Sequence, residues 1–294
     1  HETEADAENN VNEIVGEYNN IVAYEQTIFI RVEDSASDND CASQLTLTLI
    51  VNDVPQINTE PSSLFLCDEN TDGFGIFDLS TSNEELLNGL DPSDFTITYY
   101  EAQDDAQNAL NAIVTPYNYT NTTAFNQFVW VRIENNTTAC YNVGSIELII
   151  NELPVLTQPT PLNLCDYNNS GDEVEGFTLE DSIGEVLQGQ TGINISFHES
   201  QEDADTAVNA LVSPYNNTAN AQTIYIRGED EITGCYATIT LDLRVNPIPS
   251  PVAPEPIEEC DDDNDGFTFF TLETNEEEII NGELDIVLSY YSTL

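Results

Sequence analysis

The sequence has no lysine and no methionine, and only four arginines stand against 55 aspartates and glutamates. The formal net charge is −51. A surface so poor in cations repels phosphate backbones and anionic lipid, so neither nucleic acid nor membrane surface is expected as a partner. It draws divalent cations instead. No apolar run is long enough to span a bilayer, and no membrane insertion is expected of this segment. Histidine is confined to His1 and His198. His198 shares a repeated slot with His1 and with Tyr100, which argues against a general base or a metal ligand there. The cysteines lack the close ligand spacing of a zinc site. No carboxylate pair sits in an apolar setting that would raise a pKa. The chain is therefore read as not an enzyme.

What is present is repetition. Hydrophobic residues make up 40% of the chain and alternate as in strands, which argues against disorder at this charge density. Asp6-Ala7, Asp105-Ala106 and Asp203-Ala204 recur at offsets of 105 − 6 = 99 and 203 − 105 = 98 residues. A strand with one arginine recurs as Phe29-Ile30-Arg31-Val32-Glu33, Trp130-Val131-Arg132-Ile133-Glu134 and Tyr225-Ile226-Arg227-Gly228-Glu229. Each unit is the size of one ordinary domain. The first and last residues fall at the same phase of the repeat. The expected organisation is a back half-domain at 1–54, whole domains at 55–154 and 155–248, and a front half-domain at 249–294. Each half would be completed by its neighbour, on the same polypeptide or another copy.

A turn after one cysteine per unit carries the clearest candidate chemistry. Oxygen side chains sit on alternate residues and a glycine follows: Asp68, Asn70 and Asp72 with Gly73; Asp166, Asn168 and Ser170 with Gly171; Asp261, Asp263 and Asp265 with Gly266. This is the first half of a calcium loop, and calcium is the expected cofactor. No copy has a Glu at the twelfth position, and a bare Asx-rich turn would look similar.

Six cysteines, two per unit, suit an oxidising extracellular setting. Two pairings are open. Pairs within a domain would be Cys67–Cys140 and Cys165–Cys235, leaving Cys41 and Cys260 with partners outside this window. Pairs between units would be Cys41–Cys67, Cys140–Cys165 and Cys235–Cys260. The late cysteine opens a strand of about ten residues, roughly 33 Å, that leads away from the next unit. Bridged Cα atoms must lie within about 7 Å. The pairs within a domain are therefore favoured, and closing so long a loop is worth roughly 4 kcal/mol in the chain-entropy account.

The repeated arginine, followed two residues later by Glu, is read as a structural offset to local repulsion. Tyr18, Tyr117 and Tyr215 are read as one slot, whose hydroxyl ties down a loop. Helical stretches are expected at Glu2–Ile14, Asn83–Leu90 and Gln103–Ile113. Strands are expected at Glu25–Glu33, Ala42–Val51, Leu64–Leu66, Phe74–Leu79, Phe95–Tyr100, Phe128–Glu134 and Ile146–Ile150. Short strands at this spacing predict an all-β fold of tandem Ig-like β-sandwiches with short helical crossovers. Proline-rich boundaries, above all Pro247–Pro256, predict an in-line arrangement.

The order Leu-Cys-Asp-x-Asn-x-Asp-Gly…Phe-Asp-Leu, Tyr-Tyr…Asp-Ala…Asn-Ala-Ile, Pro-Tyr-Asn, Val-x-Val/Ile-Arg, Thr-x-Cys-Tyr and Asn-x-x-Pro resembles repeats of very large surface proteins of gliding Bacteroidota exported by the type IX route. The resemblance spans essentially the whole chain. It implies an extracellular adhesin or filament at the cell surface whose Ig-like domains form a long stalk. It also implies O-glycans on Asp-Ser/Thr-aliphatic sites, with Ser35, Ser182 and Thr206 as candidates. The function expected is thus a structural or adhesive repeat region stiffened by calcium and disulfides, packed against copies or repeats of itself. The alternative is a module array that grips surface polysaccharide through Tyr and Asn loops.

Overall fold

A computed structural model of the chain describes residues 1–34, 41–263 and 265–292. The chain divides into two compact units, His1–Glu152 and Leu153–Leu294. In the first, helix α1 (Glu4–Asn9) precedes a hairpin of β1 (Glu25–Glu33) and β2 (Ala42–Ile50). A whole repeat follows, with β3 (Leu64–Asp68), β4 (Ile76–Phe77), α2 (Asn83–Leu87), β5 (Phe95–Tyr100), α3 (Gln103–Asn108), β6 (Tyr119–Thr120), β7 (Asn126–Asn135) and β8 (Tyr141–Glu152). The second unit repeats this as β9 (Leu162–Cys165), β10 (Gly176–Phe177), α4 (Ile183–Leu187), β11 (Ile193–His198), α5 (Gln201–Thr206), β12 (Tyr215–Asn216), β13 (Gln222–Asp230) and β14 (Tyr236–Asn246). It ends in a half-repeat with α6 (Glu276–Ile280).

Each whole repeat is a two-layer Ig-like sandwich. One layer is a four-stranded sheet in the order β3-β8-β7-β5, or β9-β14-β13-β11 in the second unit. The other is a two-stranded ribbon, β4-β6 or β10-β12, with a 3-10 turn and a short helix beside it. Alternation in β7 sends Val129, Val131 and Ile133 inward, where they meet Ile146 and Leu148 of β8. Phe77, Leu79 and Leu86 close the core from the second layer. Ile224, Ile226, Leu241, Leu243, Phe177, Leu179 and Val186 do the same in the second unit.

The first strand of each sheet pairs in parallel with the last. In β3–β8 the register sets Leu64 opposite Leu148 and Cys67 opposite Asn151. In β9–β14 it sets Leu162 opposite Leu243 and Cys165 opposite Asn246. The other pairs of both sheets are antiparallel.

The Asp-Ala helices are shorter than the sequence suggests. α1 stops at Asn10 and α3 at Ala109, each in the left-handed conformation. Asp6, Asp105 and Asp203, in the first turns, each take a hydrogen bond from the side-chain amide of the residue six positions on, Asn12, Asn111 or Asn209, which folds the chain back over the short helix. The strand out of the cysteine turn is also short, with only Ile76 and Phe77 paired, whereas β8 is longer than its hydrophobic run.

Six-residue helices with acidic first turns and no basic residue in the last are not stable alone. The arginine of the neighbouring strand supplies the missing charge. Arg132 Nη1 donates to the carbonyls of Ala106 (3.3 Å) and Gln107 (3.0 Å) at the end of α3. Its Nη2 and Nε hold Glu134, and its guanidinium stacks on Tyr141, 3.3 Å from the ring centroid. Arg227 repeats the arrangement with Ala204, Asp205, Glu229 and Tyr236. Arg31 caps α1 at Ala7 and Glu8 and pairs with Glu33, but Ala42 stands where the aromatic would be. A cation at a helix C-terminus is favourable, and burial strengthens it.

Replacing the clamp with Arg132→Gln should lower stability by about 2 to 3 kcal/mol, since a mostly buried ion pair and two carbonyls lose their partner. Arg244→Gln, at an exposed pair with Asp242, should cost less than about 0.5 kcal/mol. Urea unfolding followed by fluorescence of Trp130, the single tryptophan, reads the second repeat selectively.

Candidate functional site: the cysteine poles and their turns

The parallel register decides the cysteine chemistry. Cys67 lies opposite Asn151, near the end of β8, whereas Cys140 immediately precedes that strand. Eleven residues of strand separate the two levels, about 36 Å. Cys165 and Cys235 stand in the same relation, opposite Asn246 and just before Tyr236. Bridged cysteines need Cα atoms within about 7 Å. The expected pairs Cys67–Cys140 and Cys165–Cys235 are therefore wrong, because the two cysteines of one repeat sit at opposite poles of its sheet. Cys67 and Cys235 are disulfide-bonded. Cys41, Cys140, Cys165 and Cys260 are free thiols, so none of the pairs Cys41–Cys67, Cys140–Cys165 and Cys235–Cys260 forms either.

The junction inside the first unit shows what a late cysteine faces. Cys140 Sγ lies 3.8 Å from the carbonyl oxygen of Asn52, just past the last strand of the preceding half-repeat. Asn52 opens an Asn-x-x-Pro run, as Asn151 and Asn246 do. In the whole repeats, this same asparagine is the one aligned with the early cysteine. A late cysteine thus reaches the level at which the preceding repeat carries its early cysteine. The linker is held close to β8 by Asn142 Nδ2 to the Pro55 carbonyl (3.1 Å) and Ser145 N–H to the Thr59 carbonyl (2.9 Å). Gly144 permits this approach, since a Cβ there would lie 2.9 Å from the Thr59 oxygen.

The turns after the early cysteines share one geometry. The first aspartate folds back to accept the N–H of the glycine five residues on: Asp68 from Gly73 (2.9 Å), Asp166 from Gly171 (2.5 Å) and Asp261 from Gly266 (2.7 Å). Asp68 and Asp166 are buried. Of the other expected ligands, Asn70 bonds to Asp72, Asn168 bonds to Glu175, and Ser170 is exposed. Asp261, Asp263 and Asp265 bring carboxylate oxygens within 4.8 Å of one another.

A buried asparagine that the sequence reading did not single out fastens these turns. Asn121 accepts from Gly75 N–H (2.8 Å) and donates to the Gly73 and Thr123 carbonyls. Asn217 does the same with Glu175, Glu173 and Ala219. Its signal is Tyr-x-Asn, which also corrects the tyrosine slot to Tyr18, Tyr119 and Tyr215. Their hydroxyls bind Glu2 and Gln26, Glu101 and Gln127, and Glu199 and Gln222. Tyr117 is exposed, because the second repeat carries two extra residues after its proline.

Among the glycosylation candidates, Ser182 is buried and donates to the Leu179 carbonyl (2.7 Å), so a glycan cannot be placed there without opening the core. Thr206 is exposed at the end of α5, and Ser35 lies outside the described residues. His198 is buried with both ring nitrogens engaged, by the Val208 carbonyl and by Ser196. No helix among the described residues is long and apolar enough to cross a membrane.

Burial raises the pKa of Tyr99, Tyr119 and Tyr215, with the Asp78 charge adding to Tyr99. A raised tyrosine favours the folded state fully below its unfolded pKa and loses that contribution as pH rises through the folded one. Stability should therefore fall above about pH 10. Tyrosinate absorbance measured against pH should show most of the 13 tyrosines ionising freely and a buried set ionising only with unfolding.

The domain family described as Flavobacterium inter-domain disulphide bond domain matches residues 1–55, 63–154, 161–249 and 256–294. No curated protein matches the chain. Among solved structures, an I67–I69 fragment of titin is 12% identical, with 76% of this chain and 74% of that one covered and a TM-score of 0.27. Drosophila N-cadherin EC1-4 is 11% identical over 79% and 60%, with a TM-score of 0.20. A SusE-like surface located polysaccharide binding protein from the Bacteroides thetaiotaomicron heparin utilisation locus is 9% identical over 75% and 43%, with a TM-score of 0.26.

Proposed function

Since the chain belongs to the Flavobacterium inter-domain disulphide bond domain family, we propose that it is a non-enzymatic load-bearing segment of an extracellular stalk or filament whose repeats are stapled to one another. The early cysteine of each repeat bonds the late cysteine of the next, Cys67 with Cys235 here. Cys140, Cys165, Cys41 and Cys260 serve equivalent bonds with repeats beyond those in hand. The observation that carries this reading is the parallel register, which separates the cysteines of one repeat by about 36 Å. The approach of Cys140 to Asn52 across a repeat junction supports it independently.

The half-repeats call for completion. Ile30, Val32 and Leu47 are exposed on the β1–β2 hairpin, whereas their counterparts Val131, Ile133 and Ile146 are fully buried in the whole repeat. A front half carrying the early-cysteine motif covers such a face, supplied by adjoining chain or by another copy. Surface display through the type IX route, an adhesive role and stiffening by calcium at the turns belong to the same proposal. The charge of −51 makes separate stalks repel one another.

The test is mechanical and chemical together. Digestion without reduction should yield a peptide linking Cys67 to Cys235, and a Cys67–Cys140 peptide would overturn the pairing. The bonded residues are 235 − 67 = 168 positions apart. Pulled from end to end until the repeats unfold, single molecules should therefore extend about 570 Å further when reduced than when oxidised, at about 3.4 Å per residue. A molecule whose extension is indifferent to reductant would not be carrying load through this bond.

A further inference from the structure

The turn of the third repeat differs from its counterparts first in its leading aspartate. Asp166 Oδ2 accepts the Gly171 N–H, but Oδ1 has no partner although the residue is only 1% exposed. In the second repeat both oxygens of Asp68 are engaged, by Asp72 N–H and Gly73 N–H. A buried carboxylate oxygen without a partner carries an uncompensated desolvation cost.

The same turn holds a second buried acid, which is fully engaged. Glu175 takes the place of Gly75, as its N–H to the side chain of Asn217 shows against Gly75 and Asn121. Its carboxylate accepts the Tyr167 and Asn168 N–H groups (2.6 and 2.8 Å) and the Asn168 side-chain amide (2.6 Å). Among the described residues every arginine has another partner. Three of the four arginines are held in helix clamps, and Arg244 pairs with Asp242 on β14. The fourth repeat shows where the positions lead, since Asp261, Asp263 and Asp265, equivalent to Asp166, Asn168 and Ser170, converge within 4.8 Å.

We propose that the 166–175 turn is a divalent cation site of the calcium class, with Asp166 Oδ1 as its first ligand and the side-chain oxygens of Asn168 and Ser170 completing the near side. Oxygen donors on alternate residues suit calcium, which tolerates irregular shells and keeps waters. Because Asp166 directly follows Cys165, the ion ties down the backbone beside a cysteine of the proposed staple. The inference rests on the array reading for that consequence, not for the site itself.

The experiment uses the full oxidised chain, stripped of metal and titrated with calcium chloride by calorimetry. Asp166→Asn should lose one binding class or weaken it at least tenfold, while Asp261→Asn should leave that class in place. A calcium isotherm for Asp166→Asn that superimposes on the unsubstituted one overturns the site. Should Asp166→Asn fail to fold, Tyr167→Trp decides, because Tyr167 is 75% exposed and tolerates the exchange. Terbium, a luminescent stand-in for calcium, should then show sensitised emission above the unsubstituted chain and be displaced by calcium. No gain in emission sinks the proposal. Mapping the disulfides of the same sample separates the two ideas: absent calcium binding with an intact Cys67–Cys235 bond fails this inference and the calcium part of the proposed function, and leaves the disulfide part standing.

Discussion

Everything distinctive about this chain depends on a parallel pairing between the first and last strands of each repeat. An antiparallel closure would return the first strand's end toward the start of the last one and bring the two cysteines of a repeat together. The parallel register does the reverse. It sends Cys67 to the pole where the chain leaves the repeat and leaves Cys140 at the pole where the chain arrives. Disulfide geometry tolerates a few ångströms and no more, so the two cysteines of one repeat cannot bond each other.

Scarcity of cations imposes the second order of organisation. With so few positive charges, the chain spends three of four arginines on the same task, holding a six-residue acidic helix against the sheet. Each clamp combines helix-end carbonyls with a carboxylate, and in the whole repeats an aromatic ring completes it, so one side chain joins helix, strand and hairpin partner. The remaining acids must be stabilised by other means. Backbone N–H groups of tight turns do this for Asp68 and Glu175, and the sole buried side-chain atom without a partner among the described residues belongs to the one acid for which they do not suffice.

Much of the fold was legible because it rests on local pattern. Alternation placed β1, β5 and β7 nearly to the residue, and the hundred-residue spacing exposed the repeats. The arginine slot was readable as structural because it recurred with its glutamate. Other features were not legible, for reasons that can be named. Tyr117 satisfies the Pro-Tyr-Asn pattern literally, but two inserted residues hand its role to Tyr119. Ser182 matches a short modification pattern, yet the 3-10 turn that begins at Leu179 rolls it into the core. Asn121 and Asn217 look like ordinary loop asparagines until long-range hydrogen bonds to a turn more than forty residues earlier appear.

The sequence alone determined composition-level and periodic properties: an acidic all-β chain, its repeat length, the turn with alternate oxygen donors and glycine, and two cysteines per unit. These follow from hydrophobic period and from residue types with restricted backbone preferences, both of which act over a few positions. Only the tertiary structure decided which cysteines can meet and which aspartate keeps an oxygen unpartnered. Cysteine spacing along a chain does not reveal whether two strands run parallel or antiparallel, and a hydrogen bond satisfied from across the fold leaves no trace in local sequence. Strand direction is a property of the whole sheet, and strand direction decides that the two cysteines of one repeat lie at opposite poles.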